Sequence, residues 1–173
     1  MQRTGEVVSQ WQRALREFAR RLNEAGLPYK IVGSAAIALH SVPVAVQDVD
    51  VETDEGTVYL IQRLFPQYVV EEVRLVTGKM YRSHFGRLVI QDVVFELMGD
   101  LHRWENGTWV PTYTRTVDIV HIDGVPVPTS WLEEEVLAYI RRDRLDRAAL
   151  CLPYCRRERL LALIRGHVQP GVV

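Results

Sequence analysis

The chain has 173 residues, 47% of them hydrophobic and 25% charged, with a formal net charge of −1. Those values fit one soluble globular domain with a real core and exclude a disordered or low-complexity chain. A charge near zero also argues against a general nucleic-acid coat protein, which carries a basic surplus.

Taken from the N-terminus, residues 5–25 place Trp11, Leu15, Phe18 and Leu22 at helical spacing among arginines and glutamates, which predicts an amphipathic helix ended by Gly26 and Pro28. The run has neither the apolar core of a signal peptide nor the length of a membrane span, so a cytoplasmic protein is expected. "YKIV" (29–32) predicts a short strand and "SAAIALH" (34–40) a helix opening at the Gly33-Ser34 corner. "VQDVDVE" (46–52) alternates apolar and acidic residues with period two, the mark of a half-buried strand. A helix is expected over 54–65, with Gly56 weakening its first turn.

Strand patterns follow. "RLVI" (87–90) and "VVFELM" (93–98) read as a hairpin turned at Gln91-Asp92, and Asn106-Gly107 and Asp123-Gly124 are hairpin-turn signals. Residues 116–128 form a second predicted strand pair. Ser130 with Glu133 reads as a capping box opening a helix over 131–142, and helical material continues to 152 and again over 156–164. The arginine-rich stretches 141–147 and 156–159 read as solvated helix faces. Cys151 and Cys155, in "CLPYC", are expected as free thiols. The five histidines, His40, His84, His102, His121 and His167, show no metal-ligand spacing, and a structural role is expected for each. Trp104 and Trp109 are expected to pack across the hairpin turned at Asn106-Gly107. The fold class is α+β: one domain over 1–173, with a core in 1–100 and further hairpin strands and C-terminal helices in 101–173.

The chemistry gathers around Asp48 and Asp50. Two apart on a strand, they share a face at roughly 7 Å, where bare charges repel by about 2–3 kcal/mol at an effective dielectric of ~20. A divalent cation turns that repulsion into attraction, and hard oxygen ligands suit magnesium. Taken alone, Asp-x-Asp reads more readily as a solvated strand face. Beside it, Gly33-Ser34 closes a strand and opens a helix, where unpaired amides favour anions. Together the two describe a grip on a triphosphate and a metal. Glu96, flanked by Phe95 and Leu97, is the expected third carboxylate, since an acid in so apolar a run is costly unless paired or metal-bound. Glu52 shares the face of the aspartates at the strand end and ranks behind them. The stretch 76–87 gathers Lys79, Arg82 and Arg87 with Tyr81 and Phe85. It reads either as a basic loop facing pyrophosphate or a base, with Arg82 foremost, or as a solvated connection.

"VGS" (32–34), thirteen residues, "DVDV" (48–51) and "FEL" (95–97) resemble the nucleotidyltransferase superfamily related to DNA polymerase β, and within it the small bacterial proteins related to AbiEii abortive-infection toxins. Antibiotic nucleotidyltransferases for aminoglycosides and lincosamides are more distant relatives on this reading. The resemblance covers 10–100 well and is weaker beyond. Relatives there often read Leu-Glu-Asp, a lysine, then Arg-x-x-Asp. Here Glu133 and Arg144-Leu145-Asp146 keep part of that pattern, and Ile140 or Arg141 stands at the lysine position. The departure touches substrate positioning or a phosphate contact, not the metal site.

The resemblance implies a nucleotidyltransferase fold and transfer of NMP from an NTP to a hydroxyl of tRNA, protein or a small molecule. Two magnesium ions, replaceable by manganese, would be held by Asp48, Asp50 and Glu96. Gly33, Ser34, Lys79 and Arg82 would bind the nucleotide. It also implies a toxin-type role beside a cognate partner protein. A fold retained without catalysis, as a nucleotide- or partner-binding module, is the alternative, and a metal-stabilised structural protein is a third reading.

Overall fold

A computed structural model describes residues 8–166; the expected helix start at 5–7 and His167 lie outside the described residues. The first helix, α1 (Gln10–Glu24), is opened by Ser9, whose side chain and that of Gln12 form a reciprocal capping box. It buries Ala14, Leu15, Phe18, Ala19 and Leu22 along one stripe. Next come β1 (Lys30–Val32), α2 (Gly33–Leu39), β2 (Asp48–Thr53) and α3 (Glu55–Leu64). Asp54 caps α3 by accepting from the Thr57 amide at 2.8 Å, so Gly56 does not delay its first turn.

The strands β3 (Val69–Thr77), β4 (Tyr81–Ile90), β5 (Val93–Glu105), β6 (Thr108–Pro111), β7 (Asp118–Ile122) and β8 (Val125–Thr129) follow, then α4 (Leu132–Arg141), α5 (Leu145–Cys151) and α6 (Arg157–Ile164). The sheet runs β3-β4-β5-β2-β1-β8-β7, with β6 on β5. β2 pairs β5 and β1 pairs β8 in parallel, while the remaining pairs are antiparallel. A mixed sheet with helices against it is the expected α+β class. All three turn signals close hairpins: Gln91-Asp92 joins β4 to β5, Asn106-Gly107 β5 to β6, and Asp123-Gly124 β7 to β8, each with positive φ.

Two local expectations differ. Residues 76–87 are not a loop; they are the ends of β3 and β4 around a short turn at 78–80, because β4 extends the apolar alternation six residues earlier than "RLVI" alone shows. Ser130 and Glu133 do not form a capping box. Trp131 precedes α4 without a side-chain cap, the Ser130 hydroxyl donates to Glu135 Oε1 at 2.6 Å, and Glu133 Oε1 accepts from the Arg156 amide. Tertiary partners outcompete the local motif.

One sheet face is packed. Phe18 of α1 stacks on Phe65 and Phe95 at ring-centroid distances of 5.2 and 4.8 Å and meets Tyr29 edge-on at 5.9 Å. Val49, Val51, Phe95 and Leu97 bury against this layer, each full burial stabilising by about 1.5–3 kcal/mol. A second core joins Ile37, Val42, Leu132, Val136, Ala148 and Cys151 between α2, α4 and α5. Both cysteines are free, and Trp104 meets Trp109 edge-on at 5.1 Å across the β5–β6 hairpin. Between the other sheet face and α4 lies a cavity of about 1030 Å³.

Candidate active site

Strand alternation sends Val49 and Val51 to the packed face and Asp48, Asp50 and Glu52 to the cavity face. Asp50 stands directly beside Glu96 in the parallel β2–β5 pairing, with Val32 on its other side, so Glu96 shares a sheet face with the two aspartates. Gly33 follows Val32 with φ +67°, and a Cβ there would lie 2.2 Å from Asp50 Oδ2. Only glycine combines that backbone conformation with that approach.

The carboxyl of Asp50 is pushed up to about 7 by burial first, then by the charges of Asp48, Glu96 and Glu135; Arg142 acts in the opposite sense. Such a carboxyl becomes comfortable as an anion only when a cation arrives. The oxygen donors of Asp48, Asp50 and Glu96 therefore suit magnesium. They are not drawn together in advance: among the described residues no three His, Cys, Asp or Glu side chains form a closed metal set. Glu96 Oε1 instead accepts from Arg87 Nε at 2.9 Å, and Arg87 Nη2 lies 2.8 Å from the same oxygen.

The other nucleotide-binding expectations divide. Gly33 lines the cavity, and Ser34 stands next to it at the start of α2. Lys79 is exposed in the β3–β4 turn. Arg82 pairs opposite His102 in the sheet, and its guanidinium lies 5.3 Å from the Trp109 ring, while its neighbours Tyr81 and Ser83 line the cavity. Alternation along β4 turns Arg82 to the opposite face. Three histidines are engaged in structure: His84 Nδ1 lies 2.8 Å from the Tyr59 hydroxyl, His40 Nε2 2.7 Å from the Ser130 carbonyl oxygen and His102 Nδ1 2.8 Å from the Asp100 carbonyl oxygen, while His121 is exposed.

Sequence reasoning did not single out the cavity's remaining polar residues. Lys30 Nζ, 2% exposed, donates to Thr114 Oγ1 at 2.8 Å and lies 3.7 Å from Glu52 Oε2 and 3.6 Å from Glu134 Oε2. Thr112 donates to Glu52 at 2.7 Å. Burial raises the carboxyls of Glu52 and Glu135, against the lowering effects of Lys30 and Thr112 on the first and of Ser130, the Gly33 amide and Lys30 on the second. Arg103, Arg141 and Arg142 line the wall beyond, and Arg141 is lowered by burial and by Arg103. The signal for Lys30 was present, since a lysine inside "YKIV" is a charge on a buried strand. Glu135 was legible as an acid one residue before Val136 on the inner side of α4.

β5 changes its facing halfway. Met98 lines the cavity, and so do Leu101, Arg103 and Glu105, because an irregularity at Asp100, with φ +52°, shifts the alternation by one residue.

A family model described as aminoglycoside-2''-adenylyltransferase matches residues 14–150. The chain belongs to this family. A Thermotoga maritima protein described as a nucleotidyltransferase is 31% identical, covers 88% of this chain and 98% of its own length, and superposes with a TM-score of 0.75. ANT(2")-Ia in complex with adenylyl-2"-tobramycin shares the fold at a TM-score of 0.60 with 13% identity, over 91% of this chain and 97% of its own. The lincosamide antibiotic adenylyltransferase LnuA, lincomycin-bound, superposes at 0.50 with 11% identity over 76% and 86%. No curated protein sequence matches the chain at a significant level. The adenylyltransferase family sits in the nucleotidyltransferase superfamily that the sequence resembles; these similarities do not show the narrower kinship with AbiEii-type toxins. No helix among the described residues is long and apolar enough to cross a membrane.

Proposed function

We propose that the chain is a magnesium-dependent nucleotidyltransferase that moves NMP from an NTP to a hydroxyl of a small molecule held in the cavity. The observation that carries this is Asp50, a half-buried acid lifted by desolvation and by neighbouring acids and pressed against the one glycine that opens α2. Asp48 and Asp50 would hold the metal with Glu96 beside them. Magnesium, or manganese in its place, supplies neutralisation of the phosphates and Lewis acidity at phosphorus.

The chain's own residues do the rest. Gly33 allows close approach of the phosphates, and the Ser34 hydroxyl adds a donor. Arg141 and Arg142 line the same cavity and offer positive charge near the position, Ile140 or Arg141, where relatives often carry a lysine. The acceptor oxygen bonds to the α-phosphorus in line as the bond to the bridging oxygen breaks. Its proton passes to Glu96, and pyrophosphate leaves.

The match to an aminoglycoside adenylyltransferase family favours a small acceptor over a tRNA end or a protein side chain. The cavity's end at Lys30, where Glu52 and Glu134 pair with that lysine and Glu135 stands nearby, favours a hydroxyl compound that also carries amines. The experiment incubates the full chain with magnesium, each labelled NTP, and tobramycin, lincomycin or tRNA, and follows pyrophosphate and label. Label on a small molecule is expected. Label on tRNA or on protein would favour the toxin-type role with its partner protein. Magnesium-dependent NTP binding without turnover would make the chain a binding module. Absence of both, unchanged in Asp50→Ala, removes the enzyme reading.

A further inference from the structure

Glu71 on β3, Arg87 on β4 and Glu96 on β5 are directly opposed in the sheet, and the row continues to Asp50 on β2. Opposed residues share a face, so Arg87 meets an acid on each side. Its Nη1 donates to Glu71 Oε2 at 3.0 Å, while Nε and Nη2 both reach Glu96 Oε1. The guanidinium plane also rests 5.0 Å from the centroid of the Phe85 ring. A planar group tied on two edges and backed by an aromatic ring has a defined direction, which an ammonium would lack.

The hydrogen bond from Nε and the ion-pair contact of Nη2 converge on one oxygen. Oε1 is thereby committed, and the positive charge beside it weakens Glu96 as a ligand for a further cation. Oε2 stays available as an acceptor of a proton. Among the described residues no lysine, arginine or histidine forms an ion pair with Asp48 or Asp50, whereas Glu96 has Arg87. The row thus divides the three acids into a metal-seeking pair and one acid already balanced.

We infer that Arg87 is a positioning residue that holds Glu96 out of the metal set and presents its Oε2 to the acceptor hydroxyl. The inference rests on the nucleotidyltransferase reading and separates two tasks that this reading leaves with Glu96.

Manganese binding to the full chain without nucleotide, followed by electron paramagnetic resonance, needs no acceptor. Glu96→Gln is expected to keep manganese affinity within about 3-fold of the unmodified chain while lowering kcat at least about 100-fold with the acceptor found by labelling. Arg87→Met, which frees Glu96 to join Asp50, is expected to tighten manganese about 3- to 10-fold. It should lower kcat at least about 10-fold with KM for the nucleotide within about 3-fold, and added guanidinium should restore part of that loss in Arg87→Ala. A more than tenfold loss of manganese affinity in Glu96→Gln makes Glu96 a ligand and overturns the inference, as does unchanged kcat in Arg87→Met. If Arg87→Met does not fold, Glu96→Gln alone decides. An unmodified chain that binds no manganese and releases no pyrophosphate removes the parent reading and this one together; manganese binding with the variant pattern reversed removes this one alone.

Discussion

The two faces of β2 differ by one residue in register and by everything in energetics. Val49 and Val51 meet the aromatic stack of α1 and β5, where every contact is apolar and satisfied. Asp50 and Glu52 line a cavity with further acids, and alternation puts Asp48 on the same face. Within that second face the contrast repeats. Glu52 has Lys30 and Thr112, whereas Asp50 has mostly like charges around it. The packed face holds the molecule together, and the acid face holds an unmet demand for a cation. On the proposed function, stability and catalysis are thus separated across the thickness of one sheet.

Substitutions that act on one face alone test that separation. Asp50→Ala should reduce pyrophosphate release by at least about 10³-fold, since transition-state charge loses its counter-ion, while chemical denaturation still shows a cooperative fold. Phe18→Ala should cost about 3–5 kcal/mol of unfolding free energy by leaving a cavity in the aromatic stack, yet manganese affinity per folded molecule should stay within about 2-fold.

Asp50→Asn probes the unmet demand through pH. A carboxyl raised from its ordinary value to about 7 contributes stability below pH ~4 that is lost as pH rises through ~7. In chelator, the unmodified chain should therefore fall by about 3–4 kcal/mol relative to Asp50→Asn between pH 4 and 8, and saturating magnesium should remove the difference. Equal pH profiles in denaturation would break the comparison at its centre. Gly33→Ala should cost about 1–3 kcal/mol from its left-handed backbone and weaken manganese binding, because the new methyl group displaces Asp50. Arg82→Ala, on the face away from the cavity, should change KM for the nucleotide by less than about 2-fold, read in the same pyrophosphate assay.

Most elements were legible because their signals are local. The stripe of α1, the alternation of β2 and the three hairpin turns need only neighbours a few residues away. That Asp48, Asp50 and Glu96 share a face beside Gly33 was legible for the same reason, from acids and a glycine in apolar surroundings. Residues 81–87 were expected as a loop; as a strand, their alternation puts Arg82 on the face opposite Tyr81 and Ser83. Glu133 and Ser130 matched a capping pattern and found longer-range partners, which no local rule could weigh. Lys30, Glu134 and Arg87 gain their meaning from β2, α4 and β3, and those contacts cross many residues of sequence.

By itself, then, the sequence determined which side chains share a face, because strand and helix periods are properties of the backbone. It also determined that a carboxylate pair sits near a glycine corner. Only the tertiary structure decided which charges meet a partner, since pairing depends on strand order and register across the sheet. That order gave Glu52 its lysine and Glu96 its arginine, and left Asp50 beside Gly33 among other acids, where burial and repulsion lift its carboxyl.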